Sequence, residues 1–227
     1  WSRTHNGACT VVSNENGRST TSVRALDEFP TFIRNAAAVS IIHKVLSHNE
    51  QSMSSIVSAQ KPYGLRTFAR PTGRGDVSLR WNGGVGPIER QEITSGVEWI
   101  DKWKVFTSYL THDHAGKTDK DGKRRIISVL EVAPPLSVCT ETYLSIGSFD
   151  SQEEAEHLAA YIRTKFVRFL VMQVTATQHL SRASFALVPL QDFKKSWTDE
   201  SLFEKYGLTQ EEIELIQSKI SPMEAGD

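Results

Sequence analysis

Three short runs in the sequence combine residue types that can bind metal ions or phosphate groups. Asp119-Lys120-Asp121-Gly122 resembles the middle of a calcium loop, but Lys117 and Ser128 would occupy its first and last ligand positions, where carboxylates are needed. His112-Asp113-His114 could present two imidazoles to a metal on a strand, although its polar surroundings favour an ordinary loop. Gly83-Gly84-Val85-Gly86 lacks the following helix of a phosphate cradle, so it predicts a tight hairpin.

A fourth run, Asp121-Gly122-Lys123, matches one half of a metal-dependent nuclease site. In such sites a carboxylate and a nearby lysine surround a divalent metal, and Asp76 could supply a second carboxylate. So short a run is common by chance. A metal-dependent nuclease therefore stays open as an alternative function, with Asp76, Asp121 and Lys123 as its candidate residues.

Recognised catalytic motifs are missing from the sequence. There is no G-x-x-x-x-G-K-[ST] phosphate loop, no H-E-x-x-H and no G-x-S-x-G. Ala133-Pro134-Pro135-Leu136 is nearest to the Asn-Pro-Pro-aromatic loop of amino-methylating enzymes, but it lacks both the Asn and the aromatic residue. Cys9 and Cys139 are too few for a disulfide framework or a four-cysteine zinc site. We therefore expect no catalytic residue, metal or cofactor within this sequence.

Charge is distributed unevenly along the 227 residues, although the net charge is only −1. Residues 61–125 contain 13 basic and 8 acidic residues, whereas 149–227 contain 8 basic and 13 acidic. A basic middle beside an acidic tail is compatible with a polyanion-binding face and with an ordinary solvated surface. The sequence has no run long enough for a membrane span, and it opens at Trp1 without Met or a signal peptide. We expect it to be part of a longer protein.

Strands and helices of several lengths must position these segments. Runs bounded by Gly, Pro and Asn predict strands at 8–12, 20–26, 65–68, 77–81, 104–110, 125–132, 140–146 and 185–190. Apolar residues at helical spacing predict a helix from Pro30 to about residue 47 and a long core helix over 152–172. Two short helices follow, at about 199–206 and from Thr209, which forms a capping box with Glu212. This order predicts an α+β fold with a mixed, mainly antiparallel sheet and long loops.

Several blocks of the sequence, taken in order, carry a resemblance to a known family. The blocks are Lys61-Pro62-Tyr63-Gly64-Leu65-Arg66-Thr67, Ser137-Val138-Cys139-Thr140-Glu141-Thr142-Tyr143, Ser148-Phe149-Asp150-Ser151, Tyr161-Ile162-Arg163-Thr164-Lys165-Phe166, Thr177-Gln178, Trp197-Thr198-Asp199-Glu200 and Lys205-Tyr206-Gly207-Leu208. Their order and spacing resemble the C-terminal region of adenine-specific DNA methyltransferases from bacterial type II restriction–modification systems. In the most similar group, methylation, target recognition and often cleavage share one polypeptide.

The resemblance implies a target-recognition domain over 1–192, with a C-terminal helical extension over 193–227 packed on it. Such a domain recognises double-stranded DNA in the cytoplasm on behalf of a methyltransferase domain. That methyltransferase domain lies upstream, and any nuclease motif lies upstream as well. The parent enzyme would methylate adenine from S-adenosylmethionine, with or without cleaving DNA, whereas this region would hold no cofactor. One departure is Ala176, where relatives have a lysine, so that a DNA contact there would be weaker or made elsewhere.

Candidate DNA contacts follow from side-chain chemistry. Lysine and arginine neutralise phosphates, while arginine suits guanine and asparagine or glutamine suits adenine. The basic middle and the polar segment 173–182 supply Arg66, Arg70, Arg74, Arg80, Asn82, Lys104, Lys117, Lys120, Lys123, Arg124, Gln178 and Arg182. We expect Arg66, Arg80 and Asn82 to read bases. A protein-interaction module, with the acidic helices of 199–220 as its partner surface, is a third open function.

Overall fold

The computed structural model describes residues 7–15, 18–29, 31–111, 118, 120–175 and 177–223. These residues form helices together with small antiparallel and mixed sheets, which confirms the predicted α+β class. The strands are β1 (Cys9–Glu15), β2 (Arg18–Arg24), β3 (Val77–Trp81), β4 (Gly84–Ile88), β5 (Trp103–Ser108), β6 (Leu130–Ala133), β7 (Ser137–Cys139) and β8 (Tyr143–Phe149). The α-helices are α1 (Val39–Ser47), α2 (Gln152–Arg163), α3 (Lys165–Val174), α4 (Asp199–Lys205) and α5 (Gln210–Lys219).

The strands form three sheets. β1 and β2 make an antiparallel hairpin, and β6-β5-β8 is an antiparallel sheet. The third sheet has the order β4-β3-β7, in which β3 runs antiparallel to β4 and parallel to β7. The tight hairpin predicted for the Gly-rich run is confirmed, because Trp81 at the end of β3 pairs with Gly84 at the start of β4.

Two hydrophobic cores lie on opposite sides of the β6-β5-β8 sheet. Val105 packs in the larger core, which the helices dominate, and its neighbour Phe106 packs in the smaller core. Successive residues of a strand point to opposite faces, so β5 serves both cores. The smaller core is closed by β3, β4 and β7, whose Leu79, Ile88 and Val138 are fully or almost fully buried.

Two predicted strands are wrong, and a third, predicted over 125–132, is a strand only from Leu130 onward, as β6. The 65–68 segment is a loop in which Leu65 alone is buried. Residues 185–190 contain the end of a 3-10 turn and a single bridge between Ser52 and Pro189. Phe185, Leu187 and Val188 are buried, so this apolar run reflects burial in the larger core rather than membership of a sheet.

The predicted long helix over 152–172 is two helices, α2 and α3, with a break at Thr164. Thr164 has extended backbone angles, and its hydroxyl accepts a hydrogen bond from the Val167 N–H at 3.2 Å. The Asp199 carboxylate accepts from the Lys165 and Phe166 N–H groups at 3.0 and 2.8 Å. These acceptors satisfy the first N–H groups of α3, so the chain can change direction without losing hydrogen bonds.

The N-terminal helix also begins later than predicted. Asn35 accepts from the Ala37 N–H and caps a short 3-10 turn, Ala36–Ala38, and α1 follows directly. The two short helices near the C-terminus are confirmed as α4 and α5, with Gly207 at φ +58° between them and a Thr209–Glu212 capping box.

The C-terminal helices are built into the larger core. Leu202 and Ile216 are fully buried, and the Glu212 carboxylate accepts from Lys44 of α1 at 2.6 Å. Residues on both sides of position 192 therefore share one hydrophobic core. Within the described part of the chain, none of the helices has the length and apolar character needed to cross a membrane.

Candidate nucleic-acid interface

An arginine-bearing loop, residues 65–76, lies on the rim of the smaller core; we call it the arginine loop. It begins at the buried Leu65, and the Thr72 N–H donates to the Pro87 carbonyl of β4 at 3.0 Å. Arg66 and Arg74 keep 59% and 82% of their side chains exposed. Arg70 is exposed as well. Three guanidinium groups are therefore presented within nine residues of one surface loop.

The charges of this loop are only loosely neutralised by the protein. The Arg74 Nε lies 3.0 Å from a Glu89 carboxylate oxygen, and an Arg66 nitrogen lies 3.9 Å from Glu141. Exposed ion pairs of this kind contribute only about 0–1 kcal/mol, so another anion can replace the carboxylate at little cost. A phosphate group is such an anion, and arginine can bind it in bidentate geometry.

The backbone of the arginine loop is held on both sides of Phe68. One Glu141 carboxylate oxygen accepts from the Thr67 N–H at 2.9 Å and from the Thr67 hydroxyl at 3.1 Å. Arg70 Nη1 donates to the Thr67 and Ala69 carbonyls at 2.8 and 2.9 Å. The Thr67 N–H bond, followed by smaller effects, lowers the pKa of Glu141, so this carboxylate is ionised at neutral pH.

Phe68 is a residue that the sequence interpretation missed. It lies in the wrongly predicted 65–68 strand, and its side chain is 78% exposed, more than any other large hydrophobic side chain in the described residues. The available signal was an aromatic residue between basic residues in a segment rich in Pro and Gly. That composition is typical of nucleic-acid-binding loops, where aromatic side chains accompany phosphate-binding cations.

Asn82 occupies the tip of the β3–β4 hairpin. It is exposed, in the two-residue turn between Trp81 and Gly84. The hairpin and the arginine loop are neighbours, since Gly86 of β4 leaves room for Pro71: an added Cβ would lie 2.7 Å from the Pro71 ring. Asn82 is therefore exposed at the tip of a hairpin whose strand β4 contacts the arginine loop, and its role in reading bases stays a prediction.

Arg80 does not fit its predicted role as a base reader. Its Nε donates to both Glu131 carboxylate oxygens at 3.0 and 2.8 Å, and Nη1 donates to the Trp81 carbonyl at 2.9 Å. The guanidinium also lies over the Tyr143 ring at 5.0 Å. The Glu131 hydrogen bonds raise the pKa of Arg80, and together these contacts use its donors inside the protein.

Lys104 cannot contact DNA as predicted, because it is completely buried. Its ammonium lies 2.8–3.3 Å from the carbonyl oxygens of Lys102, Trp99, Ile100 and Pro134. Burial lowers its pKa to about 8, so the group is largely charged at neutral pH. Lys104 thus links the segment before β5 to the turn after β6, and its role is structural.

The second basic segment lies elsewhere on the molecule, against the end of α5. The Arg124 N–H donates to the Lys219 carbonyl and the Ser221 N–H donates to the Arg124 carbonyl, at 2.9 and 3.1 Å. Lys120 is exposed, and Lys123 and Arg124 are half-buried. Lys117 lies outside the described residues. These backbone hydrogen bonds tie this segment to the larger core, whereas the arginine loop is tied to the smaller core.

Gln178 lies beside the residues that directly follow β5, and Arg182 lies beside Val57. The Thr111 N–H donates to the Gln178 carbonyl, and the Leu180 N–H to the Tyr109 carbonyl, both at 2.9 Å. Arg182 Nε donates to the Val57 carbonyl at 2.8 Å. Both residues remain predicted contacts.

The nuclease candidates belong to two separate segments of the chain. Asp76 is the last residue of the arginine loop, whereas Asp121 and Lys123 belong to the segment near α5. Within the described ranges, His, Cys, Asp and Glu side chains form no group of three that could hold a metal ion. His112-Asp113-His114 and Asp119 lie outside those ranges.

Comparison with known proteins leaves the geometry as the principal guide to function. No family model matches the chain, and no curated protein is significantly similar to it. The strongest functional observation is therefore the arginine loop, with its clamped backbone, its three arginines and its exposed aromatic side chain.

Proposed function

We propose that this chain is a sequence-specific DNA recognition domain that serves an adenine-specific DNA methyltransferase of a restriction–modification system. The observation that carries the proposal is the arginine loop, whose exposed guanidinium groups suit phosphates, packed against a hairpin whose tip exposes Asn82, an amide suited to a base edge. The order of the sequence blocks supports the assignment to the methyltransferase. Recognition would take place in the cytoplasm, where such a system meets DNA.

The roles of the residues follow from their exposure. Arg66 and Arg74, whose side chains are mostly exposed, would bind phosphates and bring the rim onto the duplex. Asn82 would reach into a groove from the hairpin tip and is suited to adenine. The S-adenosylmethionine pocket and the catalytic loop would belong to a separate methyltransferase domain, the second expected partner.

A salt titration of DNA binding tests the proposal. The chain is titrated into short duplexes with a randomised centre, at several salt concentrations, as wild type, Arg66→Ala and Arg74→Ala. Each arginine that contacts a phosphate should reduce the slope of log affinity against log salt by about 1 when it is removed. The double variant should reduce it by about 2.

Arg34→Ala is the matched control. Arg34 is exposed and lies before α1 on the larger core. Its replacement by alanine changes the net charge by the same amount as Arg66→Ala or Arg74→Ala. If Arg34→Ala lowers the affinity and salt slope as much as Arg66→Ala and Arg74→Ala, binding follows net charge alone and the proposed interface is wrong. No measurable binding by the wild type would contradict the proposal altogether.

A further inference from the structure

Phe68 is the most distinctive residue of the arginine loop. The hydrogen bonds around it are more informative about its role than its exposure alone. Single exposed hydrophobic side chains are normal on protein surfaces. Here, however, the backbone carbonyls on both sides of the ring, of Thr67 and Ala69, accept hydrogen bonds from Arg70. Glu141 fixes the preceding residue from a different part of the chain through the Thr67 N–H and hydroxyl.

The side chains of Arg70 and Glu141 thus hold the segment that exposes the Phe68 ring. The loop also packs against β4, where an added Cβ at Gly75 would lie 2.2 Å from the Ile88 carbonyl oxygen. A loop backbone held in this way loses little further conformational freedom when the ring that it carries meets a partner, which favours binding through pre-organisation.

The surroundings of the ring favour nucleic acid as that partner. Arg66, Arg70 and Arg74 surround it in sequence, and all three are exposed. A protein partner would have to supply several anionic groups around an apolar pocket, whereas DNA offers phosphates on either side of stacked bases. Proteins that insert an apolar side chain such as Phe between base steps of duplex DNA also present Arg, Lys, Asn or Gln to the minor groove.

We propose that Phe68 is a wedge that enters bound duplex DNA between neighbouring base pairs and partly unstacks them, while Glu141 and Arg70 hold the loop that carries it. This inference rests on the proposed DNA-binding function. It adds an unstacking step, and it assigns Glu141 a positioning role although its charge opposes DNA.

Local unstacking can be measured with 2-aminopurine, whose fluorescence rises when the base loses its stacked neighbours. The full chain is bound to duplexes selected from the randomised pool, with 2-aminopurine placed at successive positions. The wild type should increase the fluorescence at one step, and Phe68→Ala should abolish the increase. Affinity should fall about tenfold, the equivalent of one aromatic–base stack. Phe68→Trp should preserve both signals.

Val85→Ala is the matched control for loss of exposed apolar surface. Val85 is 61% exposed on the neighbouring strand β4 and lies outside the arginine loop. Its replacement should leave both the affinity and the 2-aminopurine signal unchanged. Because both side chains are mostly exposed, neither substitution should change the thermal unfolding midpoint, which is measured alongside.

A pair of substitutions at Glu141 tests the positioning role. Both Glu141→Gln and Glu141→Ala remove one negative charge near the DNA, and both should raise phosphate-dependent affinity equally on electrostatic grounds. Only the alanine removes the oxygen that accepts from Thr67. Glu141→Ala should therefore weaken the 2-aminopurine signal relative to Glu141→Gln, and the difference should vanish when Phe68 is already alanine.

These outcomes distinguish the proposed wedge role of Phe68 from the proposed DNA-binding function on which it rests. If Arg66→Ala and Arg74→Ala weaken binding but Phe68→Ala changes neither affinity nor fluorescence, the wedge alone is overturned. If none of these variants affects DNA binding, the proposed function fails as well. A Phe68→Ala protein that binds DNA normally but changes its oligomeric state would assign the ring to a protein contact and overturn the wedge.

Discussion

Arg80 on β3 and Glu131 on β6 join the two sheets that enclose the smaller core. The guanidinium donates to both carboxylate oxygens, with an Nη2–Oε1 distance of 2.5 Å, and it also covers the Tyr143 ring of β8. The pair thus connects the sheet that carries Asn82 to the sheet that separates the two cores. The Arg80–Glu131 pair therefore holds the β3–β4 hairpin in place.

Replacing Arg80 by alanine should therefore affect stability. Loss of the guanidinium leaves Glu131 half-buried without its partner and removes the contact with Tyr143, which should reduce the free energy of unfolding by about 1–3 kcal/mol. Urea denaturation measures this change. Arg74→Ala, at a largely exposed arginine, should change the free energy by less than about 0.5 kcal/mol. If Arg80→Ala instead left stability unchanged and altered one base of the selected site, Arg80 would be a base reader.

Lys104→Met should be more damaging, because the ammonium holds four carbonyl oxygens in a buried site. The methionine fills similar volume but leaves these acceptors unsatisfied, and the free energy of unfolding should fall by about 2–4 kcal/mol. Lys102→Met is the control: this lysine is partly exposed and pairs with the largely exposed Asp150. A destabilisation by Lys104→Met no larger than that of the control would contradict the structural role.

Asp199→Ala tests the break between α2 and α3. Asp199 accepts from the Lys165 and Phe166 N–H groups, so its removal leaves two partly buried donors at the start of α3 without a partner. Loss of such a cap typically costs about 0.5–2 kcal/mol, measured again by urea denaturation. Glu200→Ala, at the exposed next residue, should be nearly neutral. Equal effects of the two substitutions would show that Asp199 contributes only its charge to α4.

The Glu50 carboxylate predicts a specific dependence of stability on pH. It accepts from Lys205 and from the Tyr206 hydroxyl, each at 2.5 Å. Burial raises the pKa of Glu50, but these hydrogen bonds and nearby positive charges outweigh burial and lower it below the usual 4.5. A carboxyl group with a lowered folded-state pKa stabilises the protein above its unfolded pKa, and this contribution is lost as the pH falls through the folded value.

Wild type and Glu50→Gln should therefore differ most in unfolding free energy near neutral pH, and the difference should shrink as the pH falls below 4.5. Comparing the two proteins cancels the other carboxyl groups with lowered pKa values, Glu141, Glu211 and Glu212. A difference that stays constant from neutral to acidic pH would show that Glu50 acts only through packing.

The sequence predicts the elements whose signals are local. The Thr209–Glu212 capping box and Gly207 fix α4 and α5, and the Gly-rich turn fixes the β3–β4 hairpin, because each signal lies within a few residues. The break at Thr164 depends on Asp199, more than thirty residues away, and could not be seen in the apolar stripe.

The same distinction applies to the candidate interface. Residue type and charge identify Arg66, Arg74 and Asn82, which the structure leaves exposed. Charge alone cannot separate them from Arg80 and Lys104, since that separation depends on Glu131 and on carbonyl groups brought near by folding. The backbone beside Phe68 is likewise held by Glu141, which lies in another part of the sequence.

Selection of DNA from a randomised duplex pool tests the central claim most directly. The chain is incubated with the pool near physiological salt, and the retained duplexes are sequenced after several rounds, in parallel with Asn82→Ala and with the Arg34→Ala control. The account predicts one enriched motif for the wild type and the control, and the same motif with one position relaxed for Asn82→Ala, at a cost of about 1–3 kcal/mol at that position. Retained duplexes without any enriched motif, or no retention at all, would contradict a sequence-recognition function.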